Sequence, residues 1–321
     1  MSKATYEKFN YSLRPAKNIE RKMLSEALAR MHRLQSLNRY KYIGFGALSF
    51  VDFSLFHKRL GIWDLTSIEA REEDRERFEF NKPLHHINMK WGLSSVVLPE
   101  IDLEKKRSIV WLDYDSHLDK DIISDLKNII ARVRSGSIII ITVTADPGGG
   151  NDPTKGPQQR YERLRSRVGD DQIPIRTRKT DLNKWGLAKV SREIISTNIT
   201  DTLKDRNGVL PLLCQLSYKQ LFNFHYADGC KMLTTGGLIT HAKDDQKLGL
   251  QQWESLPFIK DGADPYCIET PILTMRETSH LDQMISKNRS LYRDVKWIPK
   301  IERDKYKQVY RYSPTYIEAE I

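Results

Sequence analysis

The stretch "YKYIGFGALSFVDF", residues 40–53, decides how the chain is read. An apolar run leads into Gly44-Phe45-Gly46, and an apolar-rich segment of helical character follows. Strand, glycine bend and helix in that order open a β-α unit. The two glycines either let the backbone approach a ligand or let a strand pack closely against its neighbours.

Downstream the same rhythm repeats. "FVDFSLFHKRLG" (50–61) reads as a helix stopped at Gly61, and "IWDLTSIE" (62–69) as a second strand. A charged helix over 70–81 leads to a third strand, "LHHINMKW" (84–91), and a short helix or turn over 92–101. "RSIVWLDYD" (107–115) is a strongly apolar fourth strand, and 116–134 is an amphipathic helix stopped by Ser135-Gly136. "SIIIITVTAD" (137–146) is a fifth strand, apolar on both faces. Apolar strands alternating with helices predict a parallel sheet covered on both sides. Residues 221–242 then read as two strands turning at Asp228-Gly229.

The expected architecture is an α/β, Rossmann-like, mostly parallel sheet with a C-terminal antiparallel hairpin. Its parts are an N-terminal amphipathic helical segment (1–37), the core (38–150), a basic helical insertion (151–217), the sheet-completing hairpin (218–245) and a small C-terminal α+β unit (246–321). In the first part, Ile19, Met23, Leu24, Ala27, Leu28, Met31 and Leu34 fall at helical spacing. Asn18 is the expected N-cap, and the basic residues form the other face. The last part carries a Thr274/Glu277 capping box and an aromatic-basic tail with Tyr306, Tyr310, Tyr312 and Tyr316, which either stacks on bases or a partner or packs on its own domain.

Composition narrows the class. A chain of 321 residues at 39% hydrophobic can bury a substantial core. Its longest apolar run is too short for a bilayer, and the first residues lack a secretory h-region. Cys214, Cys230 and Cys267 form no CxxC pair and are expected as buried thiols in a reducing, cytoplasmic compartment. The net charge of +10 concentrates in 1–41, 155–193 and 287–311, at +7, +6 and +6, which leaves the remainder acidic. Basic arms around an acidic middle predict a polyanionic partner such as nucleic acid; solvated helix faces are the plainer reading.

In an open parallel sheet, ligands bind beyond the carboxyl ends of the strands, where strand order reverses. Those ends carry Gly44 and Gly46, Glu69, Trp91-Gly92, Asp113-Tyr114-Asp115 and Asp146. Glu69, 25 residues after Gly44, offers two acceptor oxygens suited to vicinal ribose hydroxyls. The "PGGGNDPTKG" loop (147–156) lacks a Gly-Lys-Ser/Thr and reads as flexible.

This arrangement resembles the class I S-adenosylmethionine-dependent methyltransferases over 38–145 and the hairpin. The resemblance implies S-adenosylmethionine as cofactor, with Gly44 and Gly46 at the cofactor turn, Glu69 on the ribose, Trp91 and Leu93 beside adenine, and Asp113 as the catalytic acid of strand four. Two features depart from the family: Tyr42 stands where an acid often precedes the first glycine, and Ala47 and Leu48 stand where a third glycine is usual. Asp113 and Asp146 also resemble the Mg²⁺ ligands of metal-dependent O-methyltransferases, but Pro147 replaces the expected Asn, so the metal is not favoured; helix capping by Asp115 is the competing expectation. The lysine-aspartate-lysine-glutamate set of RNA 2′-O-methyltransferases is only partly present, with Asp113 and Lys17 or Lys22 matching it. The Asn-Pro-Pro-aromatic signature of amino methyltransferases, HExxH and GxSxG are missing. His85 and His86 are adjacent, so at least one is an exposed or packed histidine.

The expectation is therefore a methyltransferase acting on an anionic or nucleic-acid-type substrate. Arg163, Arg165, Arg167, Arg176, Arg178 and Lys179 would guide that substrate, with Arg14, Lys17 and Arg21 framing the pocket rim. The alternative is a non-catalytic subunit of the same fold that binds nucleic acid or a protein partner.

Overall fold

The structure is a computed structural model that describes residues 14–148, 155–287 and 295–315. The alternation is present: β1 Lys41–Gly44, α2 Val51–Leu60, β2 Asp64–Glu69, α3 Arg75–Asn81, β3 Asn88–Trp91, α4 Ser94–Val97, β4 Ser108–His117, α5 Lys120–Arg132 and β5 Ser137–Thr144. Before it lies α1, Pro15–Ala29. After it come α6 Gly156–Val168, α7 Gly186–Asn207, β6 Leu216–Ala227, β7 Lys231–His241, α8 Ala242–Leu248, β8 Tyr266–Ile268, α9 Met275–Lys287 and α10 Lys300–Val309.

The strands form one sheet in the order β3-β2-β1-β4-β5-β7-β6-β8. β1 to β5 are mutually parallel, while β7 runs antiparallel to β5 and to β6. Strand order therefore reverses between β1 and β4, and the crevice beyond their carboxyl ends is where this architecture places a ligand.

Period-two alternation divides the core. Ile138 and Ile140 of β5 pack with α1, α2 and Trp111 on one face. Ile139, Ile141 and Val143 pack with α5 and α7 on the other. Residues buried on both sides leave no polar position in mid-strand, which explains the unbroken isoleucine run. α7 belongs to this second layer: Leu187, Ile194, Ile195 and Ile199 are buried, so the segment expected as an insertion supplies a sheet-covering helix.

Local chemistry moved several boundaries. α1 starts at Pro15, not after Asn18, because the Ala16 and Lys17 amides donate to Asp228 at 3.2 and 2.9 Å. The hairpin turn thus caps a helix some two hundred residues earlier in the chain. Asp119, not Asp115, caps α5 by accepting from the Ile122 amide at 2.9 Å. β8 adds an eighth strand to the main sheet, parallel to β6. Leu281, Val295, Ile298 and Tyr306 form a separate small core, whereas Val309 and Tyr312 join the main one. Tyr306 and Tyr312 are therefore packed rather than offered for stacking; Tyr316 lies outside the described residues. The cysteines are not buried either: Cys214 and Cys267 are exposed and Cys230 is half-buried. Among the described residues, no helix is long and apolar enough to cross a membrane.

Candidate active site

Strand register brings the expected residues to one edge. Gly44 pairs with Ser67 of β2 and with Trp111 of β4. Gly46, Glu69 and Asp113 each lie two residues further on; Gly46 follows the end of β1 and Glu69 ends β2, whereas β4, expected to end at 113–115, runs past Asp113 through an irregularity to His117. The glycine bend is pinned there by the Gly46 amide, which donates to Ser67 Oγ at 3.0 Å.

Each glycine has a packing reason. A Cβ at Gly44 would stand 2.6 Å from Tyr42 Oη and 3.0 Å from the Trp111 carbonyl. At Gly46 it would run into the Phe50 ring and reach Ser67 Oγ at 2.8 Å. The bend that follows holds Ala47 and Phe50 at φ +44° and +45°, where a side chain is strained. Glu69 is half-buried and accepts from the Arg71 amide at 3.1 Å. Burial raises its pKa, opposed by that bond and by the Arg71 charge. Trp91 packs edge-on to Phe78, under the Arg75 guanidinium at 5.1 Å, and Leu93 is exposed.

The more telling group sits beneath α1. Lys17, expected at the pocket rim, is 3% exposed, and Glu20 is fully buried. Lys17 Nζ reaches Asp113 Oδ1 at 2.8 Å, Glu20 Oε2 at 2.8 Å and Tyr226 Oη at 3.1 Å, and lies over the Trp111 ring at 4.6 Å. Behind it, Trp111 Nε1 donates to Thr142 Oγ1 at 3.0 Å, and Thr142 shares a 2.7 Å hydrogen bond with Thr234. Burial pushes the Glu20 carboxyl up, partly offset by Lys17. Asp113 is the member that reaches solvent, at 23% exposure. Arg21, one position beyond Glu20, is 6% exposed. Asp52, at the start of α2, accepts the Tyr42 hydroxyl; burial raises its pKa, and Arg21 nearby lowers it.

The remaining candidates divide. Arg14 and Asp146 both lie within electrostatic reach of Cys230, next to the hairpin turn. Arg163 and Arg167 on α6 bear on His117 at the end of β4. Arg165 and Arg176 are taken by Asp170 (3.5 Å) and Glu193 (2.9 Å), while Arg178 and Lys179 are exposed beside the 3-10 turn Lys179–Leu182. Asp146 accepts from the Gly148 amide at 3.0 Å, and its carbonyl accepts from His117 Nε2 at 2.7 Å. The Lys17 ammonium already occupies Asp113 Oδ1, and the described residues contain no cluster of three or more potential metal ligands. His86 packs against Trp63 and His57.

Glu20, Trp111, Thr142, Thr234 and Tyr226 were not found by reading motifs. One signal existed: Lys17, Glu20 and Arg21 stand at i, i+3 and i+4, in line with Leu24 and Leu28. Ionisable residues set into an apolar helical stripe are buried with their partners or bind something.

A parallel sheet reversing at β1/β4 and closed by an antiparallel β7 is the class I S-adenosylmethionine-dependent methyltransferase fold, with polar residues gathered at the edge where that fold binds its ligands. Residues 9–321 match the model of a family described as "Putative O-methyltransferase", and the chain belongs to that family. No curated protein matches the sequence. Among solved structures, it is similar to an O-methyltransferase from Bacillus cereus in complex with SAH, at 13% identity over 69% of this chain and 90% of that one, with a TM-score of 0.34. It is also similar to cofactor-bound Rv0187 from MTB, at 11% identity, 74% and 82% coverage and a TM-score of 0.35. For LepI in complex with SAM, identity is 12%, coverage 65% of this chain and TM-score 0.36; the chain spans 46% of the length of that protein.

Proposed function

We propose that the protein transfers a methyl group from S-adenosylmethionine to a hydroxyl of an anionic acceptor at the β1/β4 edge. The observation that carries this reading is the Lys17–Asp113 pair, a buried ammonium holding one carboxylate oxygen at the mouth of the crevice.

The residues fit the cofactor. Glu69 at the end of β2 has the acceptor chemistry for ribose hydroxyls, and Arg21 is a buried cation with orphaned N–H groups on the same edge. When bound, S-adenosylmethionine supplies an electrophilic methyl on a sulfonium.

The chain's own part is to place and deprotonate the acceptor. Lys17 Nζ donates to Asp113 Oδ1 and to Tyr226 Oη and is ion-paired with Glu20 at 2.8 Å, so Lys17 orients and Asp113 acts as base. With Oδ1 fixed, Asp113 Oδ2 would accept the acceptor hydroxyl and take its proton, while that oxygen would take the methyl from the bound sulfonium, which leaves as the neutral thioether. Arg14 near Cys230, and Arg163 and Arg167 near His117 at the far end of β4, are positive charges suited to guiding an anionic molecule. A binding-only role, the alternative from sequence, is less favoured in a family of O-methyltransferases.

The test is labelled-methyl transfer to a panel of hydroxyl acceptors that includes RNA and small anionic alcohols. Asp113→Asn should lower turnover by about 10²–10⁴-fold while sparing cofactor binding. Unchanged turnover in that variant would remove Asp113 as base.

A further inference from the structure

Arg21 raises a question that acceptor chemistry does not answer. A guanidinium stays charged at any physiological pH, and burying it without partners is costly. Yet Arg21 is 6% exposed, and its Nε and Nη1 have no hydrogen-bond partner among the described residues. Asp52 lies close enough for the two charges to interact, but they form no direct ion pair, and the Asp52 carboxylate is held by the Tyr42 hydroxyl. A cation and an anion are thus kept apart in one buried place, each with bonding capacity left.

Position narrows what fits between them. Arg21 is one helical turn along α1 from Lys17, which touches Asp113 of β4, two residues beyond the pairing of β4 with Gly44. Asp52 is in the first turn of α2, the helix that follows the glycine bend at the end of β1. Both residues thus belong to helices that pack against each other beside the switch point, whereas Glu69 ends β2. A zwitterion suits such a pair, because it meets both charges without adding net charge to a buried site.

We propose that Arg21 and Asp52 form the subsite for the α-amino-acid end of the sulfonium nucleoside, with Arg21 holding the carboxylate and Asp52 the ammonium. The assignment rests on the donor-site reading above and goes beyond it by naming residues for the part of the cofactor that the glycine bend and Glu69 do not hold.

Calorimetric titration with three nucleosides tests it: S-adenosylhomocysteine, its decarboxylated analogue S-adenosyl-3-thiopropylamine, and 5′-methylthioadenosine. Wild-type protein should bind S-adenosylhomocysteine about 10–100-fold more tightly than the decarboxylated analogue, the range for a charged hydrogen bond. Arg21→Gln should close that gap and leave methylthioadenosine affinity within about twofold of wild type. Asp52→Asn should weaken both amine-bearing ligands and spare methylthioadenosine. Equal wild-type affinity for the first two ligands, or a gap that survives Arg21→Gln, overturns the subsite while the donor site stands. Failure of wild type to bind any of the three overturns the donor-site reading and this assignment with it. If Arg21→Gln loses its native near-ultraviolet dichroism, the wild-type comparison decides alone.

Discussion

Lys17 neutralises a carboxylate that pairs with no other cation among the described residues. With Glu20 fully buried, Lys17→Met strands a charge in the core, and we expect a loss of about 3–5 kcal/mol in urea denaturation. Replacing both, as Lys17→Met with Glu20→Leu, should restore most of that stability, because a buried pair exchanged for apolar residues is often neutral; a double variant as unstable as the single one would contradict the pairing. His225 makes a pH prediction. Its ring stacks on Trp185 at 4.9 Å, and burial, with Lys189 and Arg192 nearby, pushes its pKa down to about 4. Between the ordinary histidine value and about 4 the unfolded chain binds a proton that the folded one refuses, so stability falls as pH drops through that window, by at most about 3 kcal/mol. Denaturation of wild type and His225→Phe across pH 4–7 checks this: the variant should lose that part of the acid slope. At this scale the sequence was least legible. A basic residue in a periodic helix is ordinarily solvated, and only Asp113, 96 positions away, shows that Lys17 is not.

Elements were easier to read, because their signals are local. Apolar period, Gly61 and Ser135-Gly136 marked helices and strands well enough to recover the β-α order. What failed depended on distant partners: the start of α1 is set by Asp228, and the three residues of β8 become a strand only by pairing with β6. The hairpin has a demand of its own. A Cβ at Gly236 would collide with the Ile139 carbonyl of β5, and one at Gly237 with the Lys219 carbonyl of β6, beside the irregularity between Gln220 and Phe222. Neither obstacle is a movable side chain, so Gly236→Ala should cost about 3 kcal/mol or more. Asp119→Ala, which removes a single N-cap bond, should cost about 1 kcal/mol. Chemical denaturation of the two variants should rank them in that order; the reverse ranking would contradict the close backbone approach.

For the whole molecule, strand order is what turns scattered residues into a site. The reversal at β1/β4 puts Gly46, Glu69 and Asp113 at one level of three neighbouring strands, and α1 closes over that edge with Lys17 and Arg21 buried beneath it. Gly46, Glu69 and Asp113 followed from the alternation and Lys17 and Arg21 were expected at the rim, whereas Glu20 and the burial of all three α1 side chains required the tertiary fold. The most direct measurement is calorimetric titration of S-adenosylhomocysteine into wild-type protein and Glu69→Ala. Saturable one-site binding that weakens at least tenfold in Glu69→Ala is the predicted result. No binding to wild type, or binding indifferent to Glu69, would contradict a donor site at this edge.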